Sequence, residues 1–173
     1  MTDFVAFLRG INLGRRQMKM ADLKACCEAM GLREVKTILA SGNVRFEASE
    51  SGLRKRLEEG IEACFGYPVA VVLRSAAEID AMVGAQPFAG VDPAADVALH
   101  VLLAERTLPA ELDLGGLPSH IEVARVAARE IYLIAHRLPN GRYTEGLEHL
   151  GKLLPKDTLF TMRNWNTILK ARA

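Results

Sequence analysis

The chain has 173 residues, half apolar and a quarter charged, with a formal net charge of +1 at pH 7. Such a mix supports one sizeable domain or two small ones and excludes disordered and collagen-like classes. No stretch reaches the roughly 18–20 consecutive apolar residues of a membrane span, and the first residues lack the basic start and apolar run of a signal peptide. The expected setting is therefore cytoplasmic, with no membrane partner.

Charge is uneven along the chain. Residues 1–56 carry 11 Lys or Arg against 6 Asp or Glu, residues 57–130 carry 4 against 12, and residues 131–173 carry 7 against 3. Such asymmetry fits an anion-binding face at the basic ends, and solvated surface charge accounts for it about as well. Cys26, Cys27 and Cys64 are odd in number and fall on helical faces, where free cysteine behaves as a small hydrophobe, so no disulfide framework is expected. His100, His120, His136 and His149 show no ligand spacing, so neither a metal site nor a cofactor is implied.

In chain order, Phe4 to Arg9 is apolar on both faces, as in a central strand covered on both sides. Met20, Leu23, Cys27 and Met30 recur at helical spacing, and Gly31 follows as a stop, which predicts a helix over 19–30. Val35 to Leu39 and Val44 to Glu47 are extended pieces separated by Ser41-Gly42-Asn43, whose Gly and Asn tolerate positive φ. Leu53, Leu57, Ile61 and Phe65 form the stripe of a second helix over 51–65. Val69 to Leu73 is another strand, and Ser75-Ala76-Ala77-Glu78 has capping-box spacing at the start of a third helix. The order matches a βαββαβ unit with an appended helix.

Gly84 to Asp96 is rich in Gly, Ala and Pro without periodicity, so the expected division is a unit over 1–84, a linker over 85–96 and a second unit over 97–173. Val97 to Leu103 is a strand, Pro109 to Leu112 a short helical stretch, and Ile121 to Ala127 with Ile131 to His136 an antiparallel pair. Thr144 to Leu154 is weakly helical. Thr161 has the character of an N-cap, and Phe160 and Trp165 have the spacing of a hydrophobic staple, which predicts a final helix over 162–171. The expected fold class is α+β, two small ferredoxin-like subdomains with antiparallel or mixed sheets.

Three polar stretches carry what chemistry can be read. In the loop after the first strand, Gly10, Asn12 and Gly14 allow close backbone approach, and Arg9, Arg15, Arg16 and Lys19 supply cations. A strand leading through such a loop to a helix N-terminus suits phosphate, because free N–H groups and the helix dipole favour an anion. The loop has neither P-loop nor G-x-G-x-x-G spacing, and a solvated basic loop reads equally well. Ser41, Gly42 and Asn43 present a hydroxyl and an amide, or else a bend that needs glycine. Arg163 and Asn164 sit at the predicted start of the last helix, as a second anion corner or as capping. No Ser-His-Asp or Cys-His arrangement can be assembled, and aromatic residues, Tyr132 and Tyr143 excepted, offer no stacking platform for single-stranded nucleic acid.

The combination FLRGINLG, KMADLK, LASGNVRF, QPF and TMRNWNT resembles the bacterial family called domain of unknown function 1697, over essentially the whole chain. The resemblance implies two small ferredoxin-like α/β subdomains and a signature of Arg9, Gly10, Asn12, Lys19, Met20, Ser41, Gly42, Asn43, Arg163, Asn164, Trp165 and Asn166. It implies no activity. Met162 replaces an expected threonine, and Arg15-Arg16 replaces small or mixed residues. Three readings follow. The first is a phosphate-bearing ligand, nucleotide or nucleic acid, held where the RGIN, SGN and RNW segments converge. The second is an enzyme acting on a small anionic metabolite, and the third a structural or protein-interaction module whose polar motifs fasten the subdomains. Neither a reaction nor an oligomeric state is legible.

Overall fold

The protein is described from a computed structural model covering residues 1–11, 17–49 and 51–172. Among the described residues, eight strands and five helices form two four-stranded antiparallel sheets with their helices. The backbone divides into one unit of Met1–Gly84 with Thr167–Ala173, and a second of Ala85–Asn166.

In the first unit, β1 (Thr2–Arg9), β2 (Arg33–Ile38), β3 (Asn43–Ala48) and β4 (Ala70–Ser75) pair in the order β2-β3-β1-β4. That order follows from two split βαβ crossovers, with α1 (Met20–Ala29) and α2 (Leu53–Phe65) as the crossing helices. Strand alternation explains the burial. Phe4, Ala6 and Leu8 join Val44, Phe46 and Val71 beneath Leu23, Cys27, Leu57 and Ile61 of the two helices. Val5, Phe7 and Val72 are equally buried on the opposite face. After β4, α3 (Ala76–Gly84) starts through the expected capping box: Glu78 N donates to Ser75 Oγ at 3.1 Å, and Ser75 N donates to Glu78 Oε2 at 2.8 Å.

The second unit repeats the plan. β5 (Val97–Ala104), β6 (Ile121–Val126), β7 (Glu130–His136) and β8 (Phe160–Asn164) pair in the order β6-β7-β5-β8. The expected helix at 109–112 does not form. Instead Leu108, Leu112, Leu114 and Leu117 of the irregular 105–120 crossover lie against the sheet beside Leu102, Ile131 and Leu133, where a helix would otherwise cover it. Pro109 and the glycines at 115 and 116 interrupt helical hydrogen bonding. The second crossover keeps a short helix, α4 (His149–Leu153), which buries Leu150.

Two further expectations are corrected. Residues Phe160–Asn164 form a strand, so Thr161 is no N-cap, and the last helix, α5, runs from Trp165 to Arg172. Thr161 and Arg163 point to one face and are 5 % and 8 % exposed, which is a strand's alternation. The cysteines are also not all free: Cys26 of α1 and Cys64 of α2 form a disulfide, while Cys27 is a buried thiol. The two partners lie 38 residues apart in sequence, on neighbouring helices of one sheet face. No helix among the described residues is long and apolar enough to cross a membrane, and no cluster among them could hold a metal ion.

Candidate functional site

Two motif pairs come together, one in each unit. In the first, the RGIN and SGN segments touch. Leu8 N donates to Gly42 O at 2.9 Å, which draws the turn before β3 against the end of β1. Gly42 has φ of +80°, and a Cβ there would lie 2.5 Å from Ile11 Cδ1 and 3.1 Å from Leu8 Cβ. Glycine is thus required both by conformation and by the close approach of Ile11. Asn43 is fully buried, and its Nδ2 donates to Ile38 O at 2.8 Å and Ser41 Oγ at 2.7 Å, bracing the same turn from inside.

The cations of this segment lie outward. Arg9 at the end of β1 and Lys19 before α1 are both exposed. Lys19 is the N-cap residue of α1, with extended backbone and no side-chain cap bond, and its carbonyl accepts from Leu23 N at 3.0 Å. A lysine at this position offers no side-chain acceptor to the first N–H groups of α1. Gly10 has φ of +74°, and no atom of the described residues lies within 4 Å of where a Cβ would stand, so the backbone conformation is what calls for glycine there. Asn12, Gly14, Arg15 and Arg16 lie outside the described residues.

In the second unit, the QPF and RNW segments meet. Phe88 packs edge to face on Trp165 at 5.3 Å and on Tyr132 at 5.9 Å, and Tyr132 and Trp165 are 5.8 Å apart. Phe88 lies in the 85–96 stretch, which forms a run of turns. Asn164 Oδ1 accepts from Asn166 N at 2.8 Å, capping the start of α5. Arg163 Nη1 donates to Thr161 Oγ1 at 2.7 Å and to Met162 O at 3.0 Å, and burial pulls its pKa down to about 10. Arg163 thus serves β8 and the sheet face that also carries Tyr132, and it is not the exposed corner cation the sequence suggests.

Sequence reading missed three features. Arg74 is 1 % exposed on β4, with Nη1 donating to Leu73 O at 3.1 Å. It faces Val5 in the register as Arg163 faces Val101, and each arginine stands two residues before the helix that follows its strand. That shared sequence of arginine, capping residue and helix was the available signal. The second feature is an open depression of about 430 Å³ lined by Asp3, Arg33, Glu34, Lys36, Arg45 and Glu47. It contains none of the expected site residues. Within it Arg45 is committed, donating to Asp3 Oδ2 at 3.1 Å and to the carbonyls of Ala171 and Arg172 at 2.8 Å, where a cation suits a helix C-terminus. The third is the Cys26–Cys64 link, which no local pattern announces. His100, half-buried on β5, has its pKa lowered by desolvation, against a bond at the backbone of Ala98.

The fold recurs in a solved structure, that of the conserved bacterial protein SP0830 from Streptococcus pneumoniae. The alignment covers 99 % of this chain and 97 % of that one, with 21 % identity and a TM-score of 0.74. At that identity the likeness speaks for the fold alone. No curated protein matches the chain. A family profile described as "Protein of unknown function (DUF1697)" matches residues 1–132, taking in the RGIN, SGN and QPF segments and stopping short of RNW. With about three quarters of its length matched, the chain belongs to the DUF1697 family of proteins of unknown function.

Proposed function

We propose that this chain is a cytoplasmic protein that binds a phosphate-bearing ligand, a nucleotide or nucleic acid, at the end of β1. The observations that support this reading are that Arg9 at the end of β1 and Lys19 before α1 are both exposed, that Gly10 after Arg9 has φ of +74°, and that Lys19, the N-cap of α1, makes no side-chain cap bond. Guanidinium, ammonium and helix N–H groups are the donors an anion takes. Ser41, Gly42 and Asn43 act one step back in this reading, holding the turn that carries the cations. Arg163 and Asn164 hold the corresponding strand end in the second unit.

The test is calorimetry with ATP, GTP and short single- and double-stranded oligonucleotides at low salt, on the wild type and on an Arg9→Ala/Lys19→Ala variant. Binding by the wild type, weakened at least about tenfold in the variant, is expected if each charge-assisted contact contributes about 1.5–3 kcal/mol. No binding at low salt, or binding indifferent to the variant, overturns the proposal.

A second reading is favoured by the burial of Asn43 and Arg163: the polar motifs are fastenings within each unit, and function lies in protein partners. It expects Arg163→Ala to lose about 1–3 kcal/mol of stability and the Arg9→Ala/Lys19→Ala variant to retain every property measured.

A further inference from the structure

We propose that Cys64 is a thiol–disulfide exchange site, through which a low-molecular-weight disulfide closes, and a low-molecular-weight thiol opens, the Cys26–Cys64 link between α1 and α2. The inference is independent of the anion reading. It begins with the asymmetry of the three cysteines. Cys64, in the last turn of α2, is exposed, whereas Cys26 is 5 % and Cys27 1 % exposed. A reagent from solution therefore meets Cys64 first, and exchange is governed by access to the sulfur as well as by thiolate character.

Cys27 is excluded from the exchange by geometry. It follows Cys26 on the helix, so it points about 100° away from the side on which Cys26 meets Cys64, and it is almost fully buried. Burial pushes its thiol up to about 11, with Glu28 adding to the shift, which keeps it protonated. The pairing is thus unambiguous in spite of adjacent cysteines.

The helices also remain together without the link. Gly60 of α2 lets Met30 close on it, since a Cβ at Gly60 would lie 2.0 Å from Met30 Sδ. Arg56 Nη2 donates to Met30 O. Cys26 Sγ lies 3.6 Å from Gly60 O, so a reduced Cys26 thiol has an acceptor in place. Opening the disulfide therefore leaves a satisfied thiol in a packed seam, the condition for a link that can be made and broken in the folded protein.

The chemistry balances in two steps. The Cys64 thiolate attacks one sulfur of a small disulfide RSSR, forming Cys64–S–SR, and the expelled RS⁻ takes up a proton. The Cys26 thiolate then attacks the Cys64 sulfur, closing the protein disulfide and releasing the second RSH. Two protein thiols lose two electrons and two protons, and RSSR becomes two RSH. Opening runs the same steps in reverse, with the first attack on the exposed Cys64 sulfur.

The experiment equilibrates the folded full-length chain in buffers of varied reduced-to-oxidised glutathione ratio, quenches with acid, alkylates free thiols and weighs the intact protein. The expected result is a reversible passage between the linked and dithiol forms with unchanged far-UV circular dichroism. A Cys26→Ser variant, or Cys26→Ala if the serine variant is unfolded, stops after the first step with one glutathione on Cys64. Cys64→Ser takes up none. Glutathione on Cys26 or Cys27 in Cys64→Ser, or a link that forms and opens only in denaturant, overturns the proposal.

Discussion

The contact between Gly42 and the RGIN segment can be probed by adding one methyl group. In Gly42→Ala the backbone must keep φ near +80°, a left-handed conformation costing an L-residue about 1–2 kcal/mol. The new Cβ would also stand 3.1 Å from Leu8 Cβ and 2.5 Å from Ile11 Cδ1. Ile11 can swing its terminal methyl aside, but Leu8 Cβ is fixed to β1, so about 1 kcal/mol of overpacking remains. The expected loss is about 2–3 kcal/mol, read from urea unfolding of the full-length chain by far-UV circular dichroism. Combining it with Ile11→Ala removes the contact with Ile11 but neither that with Leu8 Cβ nor the backbone strain, so the double variant should be less damaged than the sum of the singles by about 0.5 kcal/mol. A loss below about 0.5 kcal/mol in Gly42→Ala, the range of ordinary surface positions, would refute the claim that residue 42 stands in a left-handed turn packed against Leu8.

The buried Cys27 thiol predicts an alkaline weakness. Its pKa is raised from 9.0 to about 11 in the folded chain, so the unfolded chain sheds this proton first. Its contribution is complete below pH 9 and is lost as pH rises towards 11, about 2–3 kcal/mol in all. Urea midpoints at pH 8 and pH 10.5 should differ more in the wild type than in Cys27→Ala, and equal differences would count against the burial. Phe88→Ala should remove two edge-to-face contacts, costing about 1–3 kcal/mol. Because Trp165 is the chain's single tryptophan, its emission should shift to the red in that variant, whereas unchanged emission would mean that the QPF segment does not dock there.

The parts of this fold that could be read in advance are those whose signal is local. The capping box at Ser75 and Glu78, the double-faced apolar β1 and the glycine stop after α1 each lie within a few residues, and each is present. β8 was missed because Phe160, Thr161 and Trp165 imitate a helix start, and because an inward arginine interrupts the apolar alternation by which a strand is recognised. The crossover at 105–120 was misread because its leucines fill a helix's place without helical hydrogen bonds. The candidate site divides in the same way. Glycines and cations were visible as residue types, but that Asn43 turns inward while Arg9 stays outside depends on strand register, which no single segment encodes. The disulfide lay further out of reach, since it depends on two helices crossing the same sheet face.

The membership of α5 has a consequence for the order in which the protein is completed. Residues from Thr167 onward belong with the first unit. There the carbonyls of Ala171 and Arg172 receive Arg45, and Arg172 reaches Asp80 at 3.2 Å. On a ribosome the first unit is begun first, yet it is finished last, because its closing segment emerges only after every residue of the second has been made. Until then Arg45, beside Asp3 in the open depression, lacks its two carbonyl acceptors, and Asp80 lacks Arg172. The first unit is thus held without these last polar contacts for as long as the second takes to be made.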